Sequence, residues 1–272
     1  MTGAATPRFL GLDLAWKSDN PSGAVALEGT ALPLRLVEAP RIVRDHAEAL
    51  AWIDGHAARH PAIVGIDAPL LGLRAGGGRR ACDDAISRAF GRFHAATHSP
   101  PRAPDLRRWA GGLLAQYGRA AFAAGARPAP GRPALREVFP HAFQVRLFAL
   151  DAVPGARIVP YKRRRFASNG GWAREGLGPF VARCAATIGH GHVVDDAAWR
   201  ALVAERPGPE LSGRALKAIE DRWDALLCAL AVAAERLEPG AMRLYPVGAR
   251  GGAAILAPVL RAVAAPPRAR RP

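Results

Sequence analysis

RFLGLDLAW, residues 8–16, is apolar on both faces until Asp13 interrupts it. A run like this reads as a central strand, because a strand covered on both sides has no need of alternation. NPSG at 20–23 is a turn signal. GAVALE (23–28) and LPLRLVEAPRIV (32–43) follow as a second and a third strand. Turns this short join antiparallel neighbours. DHAEALAWIDGHAAR (45–59) carries apolar residues at helical spacing, with Asp45 placed to cap it. AIVGID (62–67) is a second continuous apolar run, ended by Asp67. The order is three strands, a helix, and a fourth strand that returns parallel through a right-handed crossover.

Working outward, 70–80 reads as a loop, and SPPRAP (99–104) breaks the chain. A helix is expected over 105–124, a short strand at LREVFP (135–140) and a helix at 141–150. PYKRRRFASNGGW (160–172) reads as a basic surface loop. Helices are expected at about 174–188, 195–205 and 212–236, the last capped by Ser212, and MRLYPVG (242–248) adds a strand. The tail AAPPRARRP is expected to be disordered.

Four carboxylates stand out. Asp13 and Asp67 end runs expected to be neighbouring strands, where α/β sheets place ligands. Glu137 lies in LREVFPHAF and Asp224 in KAIEDRWDALLCAL. Glu220 and Asp221 precede Asp224 by four and three residues and share its helix face. A charge in an apolar run is costly to bury alone. Converging buried carboxylates call for a cation, and Mg²⁺ or Mn²⁺ takes oxygen ligands of this kind.

The chain has 272 residues, half of them hydrophobic, and a formal net charge of +15. That size supports a substantial core. The charge suits a polyanionic partner, nucleic acid or another phosphodiester. Almost all of it is arginine, the only lysines being Lys17, Lys162 and Lys217. With so much Ala, Gly and Pro, this also fits a GC-rich coding sequence. No run of about 18 apolar residues predicts a membrane span, and no signal-like N-terminus is read, so a cytoplasmic location is expected. Cys82, Cys184 and Cys228 are widely spaced and form no CxxC, as for reduced core thiols.

The ordered set DLAW, NPSG, IDAP, EVFPHA, YK and ED-x-x-DALLCAL resembles the DUF429 family, regarded as predicted ribonuclease H-like nucleases, from about Arg8 to Val247. The resemblance implies an α/β fold of the ribonuclease H-like kind. Its mixed five-stranded sheet has three antiparallel strands followed by parallel ones, with flanking helices. It implies one domain over 1–250 with a helical insertion at about 70–134, then a C-terminal segment, 251–272. It further implies that Asp13 bridges two metals on the first strand. Asp67 would end the fourth strand, Glu137 would come from the fifth and Asp224 from the final helix. Asp221 or Glu220 would share the metal role. Lys162, Arg163 and His141 are the candidate substrate contacts; from its place after FP near Glu137, His141 is expected either to orient a metal-binding carboxylate or to cap the following helix.

The activity expected is that of a divalent-metal-dependent nuclease or related phosphodiesterase, whose carboxylate cluster activates water. The alternatives are a phosphotransferase of the actin-like group and a catalytically silent nucleic-acid-binding protein of the same fold. Gly76–Gly78 lacks the P-loop ending and reads as a flexible connection. His94 and His98 have the spacing of helical metal ligands, but Pro100 follows at once, so structural or substrate-contact roles are expected. Trp16 is expected in the core.

Overall fold

The computed structural model describes residues 5–100, 102–248 and 252–261. Its strands are β1 (Arg8–Asp13), β2 (Ser22–Glu28), β3 (Arg35–Leu36), β4 (Arg41–Val43), β5 (Ala62–Ile66), β6 (Ala134–Val138), β7 (Met242–Tyr245) and β8 (Ile255–Pro258). They form one mixed sheet of eight strands in the order β3-β2-β1-β5-β6-β8-β7, with β4 also on β2. β1 is antiparallel to β2 and parallel to β5, and β5, β6 and β8 continue parallel. β7 closes antiparallel on β8.

Eight strands replace the expected five for two reasons. The single strand expected over 32–43 is split, β3 pairing near Leu27 and β4 near Gly23. Pro40 lies between the two pieces and has no N–H to give a ladder. At the other edge, β8 inserts between β6 and β7. Residues 255–258 therefore belong to the sheet, beyond the boundary expected at 250. The tail AAPPRARRP lies outside the described residues.

The helices are α1 (His46–Ala57), α2 (Ala81–Phe90), α3 (Pro104–Tyr117), α4 (Pro140–Leu147), α5 (Asn169–Gly171), α6 (Gly178–Gly189), α7 (Ala197–Ala204) and α8 (Gly213–Leu237). A π-helical stretch, Trp172–Leu177, joins α5 to α6. Asp45 caps α1 by accepting from the Glu48 N–H, and Ser212 caps α8 by accepting from Ala215. The sequence reading missed α2, which follows directly on the glycine-rich stretch. None of the described helices is long and apolar enough to cross a membrane.

Alternation along β1 and β5 sorts the core into two layers. Leu10, Leu12, Val64 and Ile66 pack with Ile53 of α1 and Leu106 and Trp109 of α3. Phe9 and Ile63 point the other way, toward Trp223, Leu226 and Leu230 of α8. From Trp223 to Ala234 every residue of α8 is buried, because α4, α6 and α7 cover its far side. A helix buried all round is a core element.

The seat of α8 is made of glycine. A Cβ on Gly11 would stand 1.9 Å from the Ala225 carbonyl oxygen, one on Gly23 2.0 Å from that of Asp221, and one on Gly65 2.5 Å from that of Cys228. These positions lie on β1, β2 and β5, three adjacent strands. Only residues without a side chain let the helix backbone lie this close to the sheet.

Candidate active site

Register brings the first two acids together. Phe9 pairs with Ile63 and Gly11 with Gly65 along the parallel β1–β5 ladder. Asp13 and Asp67 are the next same-face positions after Gly11 and Gly65, and the Asp67 N–H bonds the Leu12 carbonyl at 2.8 Å. FLGLD (9–13) and IVGID (63–67) are thus one pattern used twice: an apolar residue, a glycine under the helix, then an aspartate at the strand end. Both aspartates are half-buried and line a cleft of about 1100 Å³.

The glycine seat supplies the remaining acids. With Asp221 pressed on Gly23 and Ala225 on Gly11, α8 carries Glu220, Asp221 and Asp224 to the same strand ends. All three are buried, Asp224 completely. Lys162 donates to Asp224 Oδ2 at 2.5 Å and to Glu220 Oε1 at 3.1 Å. The Tyr161 hydroxyl donates to Asp224 Oδ1 at 2.6 Å. Lys217 donates to Glu220 Oε1 at 2.9 Å and to Asp221 Oδ1, and stands 3.9 Å from Asp13 Oδ2. Five carboxyl groups therefore share two ammonium groups.

That imbalance shows in the acidities. Burial, then the neighbouring Asp13, pushes Asp221 up to about 9. Burial raises Asp224 to about 6 against the pull of Lys162. Asp67 lies well above the usual carboxylate range through burial and the charge of Asp13. Asp13 Oδ2 and Glu220 Oε2 are buried oxygens without a hydrogen-bond partner. Buried polar atoms left this way are few in folded proteins and ask for an explanation.

Glu137 lines the same cleft, and its charge helps raise Asp67, but its carboxylate is engaged by other groups. It pairs with Ile66, so its side chain leaves the opposite face of the sheet from Asp13 and Asp67. There it accepts from the Leu70 N–H at 3.0 Å and from both terminal nitrogens of Arg80, at 2.9 and 2.6 Å. Arg80 also binds Asp83 at 2.7 Å. Cys82, Asp83 and Glu137 offer ligand atoms within 4.8 Å of one another. The guanidinium already meets the charge of both carboxylates, and burial holds the Cys82 thiol up at about 12, protonated. This second cluster does not fit a metal while Arg80 stands in it.

The walls of the cleft are of two kinds. Arg157, Arg163, Arg164 and Arg165 form a basic side. Phe139, His141 and Tyr161 form a ladder of rings, with centroids 5.1 and 5.2 Å apart, that continues onto Phe180 at 3.8 Å. Burial drives His141 well below its usual range and keeps it neutral, and its Nδ1 has no hydrogen-bond partner. Arg163 is tied to Asn169 Oδ1 and the Phe166 carbonyl. His94 and His98 also line the cleft, but from a turn and a loop: His94 has φ 62° at the end of a 3₁₀ turn. Trp16, expected in the core, is 36% exposed and lines the cleft beside Asp13.

The sequence reading missed Lys217, Tyr161 and Arg80. The rarity of lysine marked the first, and the repeated glycine–apolar–aspartate pattern marked the register of the aspartates.

These features define a mixed α/β protein with a buried carboxylate–lysine centre at its strand ends, open to a basic-walled cleft. Residues 11–250 match the family described as "Protein of unknown function (DUF429)", and the chain belongs to that family. No curated protein matches the chain. No solved structure matches it.

Proposed function

We propose that this chain is a divalent-metal-dependent nuclease or related phosphodiesterase on a ribonuclease H-like core. The observation that carries the reading is the in-register pair Asp13 and Asp67, lining a cleft, with a buried Asp13 oxygen that no hydrogen bond satisfies. Hard oxygen donors with surplus negative charge fit Mg²⁺ or Mn²⁺. The antiparallel β3-β2-β1 set followed by parallel β5 and β6 supports the ribonuclease H-like assignment, with β7 and β8 as additions.

A bound divalent ion supplies an acidified water and an electrophilic clamp on the phosphoryl oxygens. The chain's own groups do the rest. Asp13 and Asp67 would hold the ion at the strand ends. Tyr161 and Lys162 fix Asp224 and so fix the helix that closes the centre. The arginine wall orients phosphate by charge and by planar donor forks. His141, neutral between two rings, offers a hydrogen bond without repelling the arginines. At about 1100 Å³ the cleft lies just above the usual small-ligand range of about 300–1,000 Å³. A chain end, a single strand or a small nucleotide fits it better than a duplex.

Cleavage of a panel of single-stranded, double-stranded and branched DNA and RNA in Mn²⁺ tests the reading, with Asp13→Asn as control. Activity in the wild type and its loss in the variant are expected; cleavage that survives Asp13→Asn sinks the assignment. The actin-like alternative, which asks for a glycine-rich phosphate loop after Asp13, has less support, since none of NPSG (20–23) lines the cleft.

A further inference from the structure

Lysine is scarce in this chain: of 38 basic residues only Lys17, Lys162 and Lys217 are lysines. Two of those three meet in the carboxylate centre. Where arginine is the ordinary cation, a lysine marks a place that needs a compact point charge. A planar guanidinium spreads its donors over a fork, whereas one ammonium nitrogen sits among several oxygens as a metal ion does.

Lys217 Nζ does this. It touches Glu220 Oε1 at 2.9 Å and Asp221 Oδ1, and faces Asp13 Oδ2 at 3.9 Å. Lys162 Nζ holds Glu220 Oε1 and Asp224 Oδ2 from the other side. Every acid that α8 brings to the centre thus has an ammonium partner. The unmet demand lies toward the cleft, at Asp13 Oδ2, at half-buried Asp67 and at Glu220 Oε2, a buried oxygen without a partner in a residue only 2% exposed.

We infer that the centre takes one divalent cation, held by Asp13 and Asp67. The Lys217 ammonium permanently fills the place where a second ion would bridge Asp13, Glu220 and Asp221. The inference rests on the nuclease reading for the presence of any cation, and departs from the two-metal arrangement that the family resemblance implies. Lys217, half exposed next to Asp13, then stands ready to face negative charge developing on a phosphate.

Equilibrium dialysis of the full chain against Mn²⁺, with free ion read by electron paramagnetic resonance, counts the ions directly. One ion per chain is expected in the wild type, none in Asp13→Asn and two in Lys217→Met. Apo Lys217→Met is expected to melt lower than the wild type and to gain more from Mn²⁺. Lys217→Gln, which keeps a polar donor at this half-exposed position, serves if the methionine variant does not fold. Two ions in the wild type, or still one when the ammonium is gone, overturn the inference and leave the nuclease reading standing. No ion in the wild type overturns both.

Discussion

Arg80 grips Glu137 with two prongs, Nη2 to Oε1 at 2.6 Å and Nη1 to Oε2 at 2.9 Å, and both residues are more than nine-tenths buried. The pair ties the start of α2 to the end of β6. Removing one partner of a buried ion pair strands the other charge, at about 3–5 kcal/mol. Arg80→Met strands two carboxylates, so its urea midpoint is expected to fall by at least that equivalent. Glu137→Gln is expected to leave Mn²⁺ affinity unchanged. Loss of Mn²⁺ binding in that variant would instead make Glu137 a ligand.

Asp13→Asn removes one of five carboxyl groups that share two ammonium groups, losing only the long 3.9 Å contact with Lys217. Apo stability is therefore expected to rise, while stabilisation by Mn²⁺ disappears. Thermal melts with and without the ion check both halves. A variant that melts lower in the apo form contradicts the surplus of charge described here.

Stability of the apo protein is expected to fall as pH rises. Asp221 and Asp224 titrate near 9 and 6 in the folded chain and near 3.8 when unfolded. Between those limits the folded state binds more protons, so its advantage is fully present below about 4 and is lost through 6 and then 9. Asp67 likewise keeps its proton well above the usual carboxylate range, and a cation held by Asp13 and Asp67 displaces it, so the Mn²⁺-induced rise in Tm is expected to grow from pH 5 to pH 8. Melts across that range decide it, and a shift that shrinks with pH refutes the argument.

Gly11→Ala places a methyl 1.9 Å from the Ala225 carbonyl oxygen, which is backbone and has no rotamer to escape into. The helix must lift, at about 3 kcal/mol or more. Lys217 and the acids of α8 lift with it, so the ammonium moves away from Asp13 and a changed number of bound Mn²⁺ ions is expected in any folded fraction. Gly76→Ala, with open space around its Cβ, is the control and is expected to be neutral.

Arg164 lies on the basic wall of the cleft. If it meets a phosphate, Arg164→Ala lowers the slope of log affinity against log salt by about 0.7 for a single strand. Fluorescence anisotropy with a short labelled oligonucleotide measures this. An unchanged slope places the phosphates elsewhere.

Much of the sheet was legible because β1 and β5 are continuous apolar runs that end in a charge, and α8 because its apolar stripe is long and capped. The extra edge strands were not. β3 has two residues and β8 four, too short for a periodicity to declare itself. Asp13, Asp67, Asp221 and Asp224 could be singled out as costly charges. The engagement of Glu137 by Arg80 could not, because one step of register turns its side chain to the other face of the strand. Arg80 sits beside the glycine-rich stretch with no local signal, and its partner lies 57 residues further along the chain.

β7 pairs with β8, which fills the space beside β6. A nascent chain therefore leaves the ribosome with the flank of β6 open until residue 258 has emerged. Through that interval its backbone donors and acceptors are a template for another molecule's strand. Shortening the chain to 250 residues would make the interval permanent, and clumping during expression is the outcome to expect.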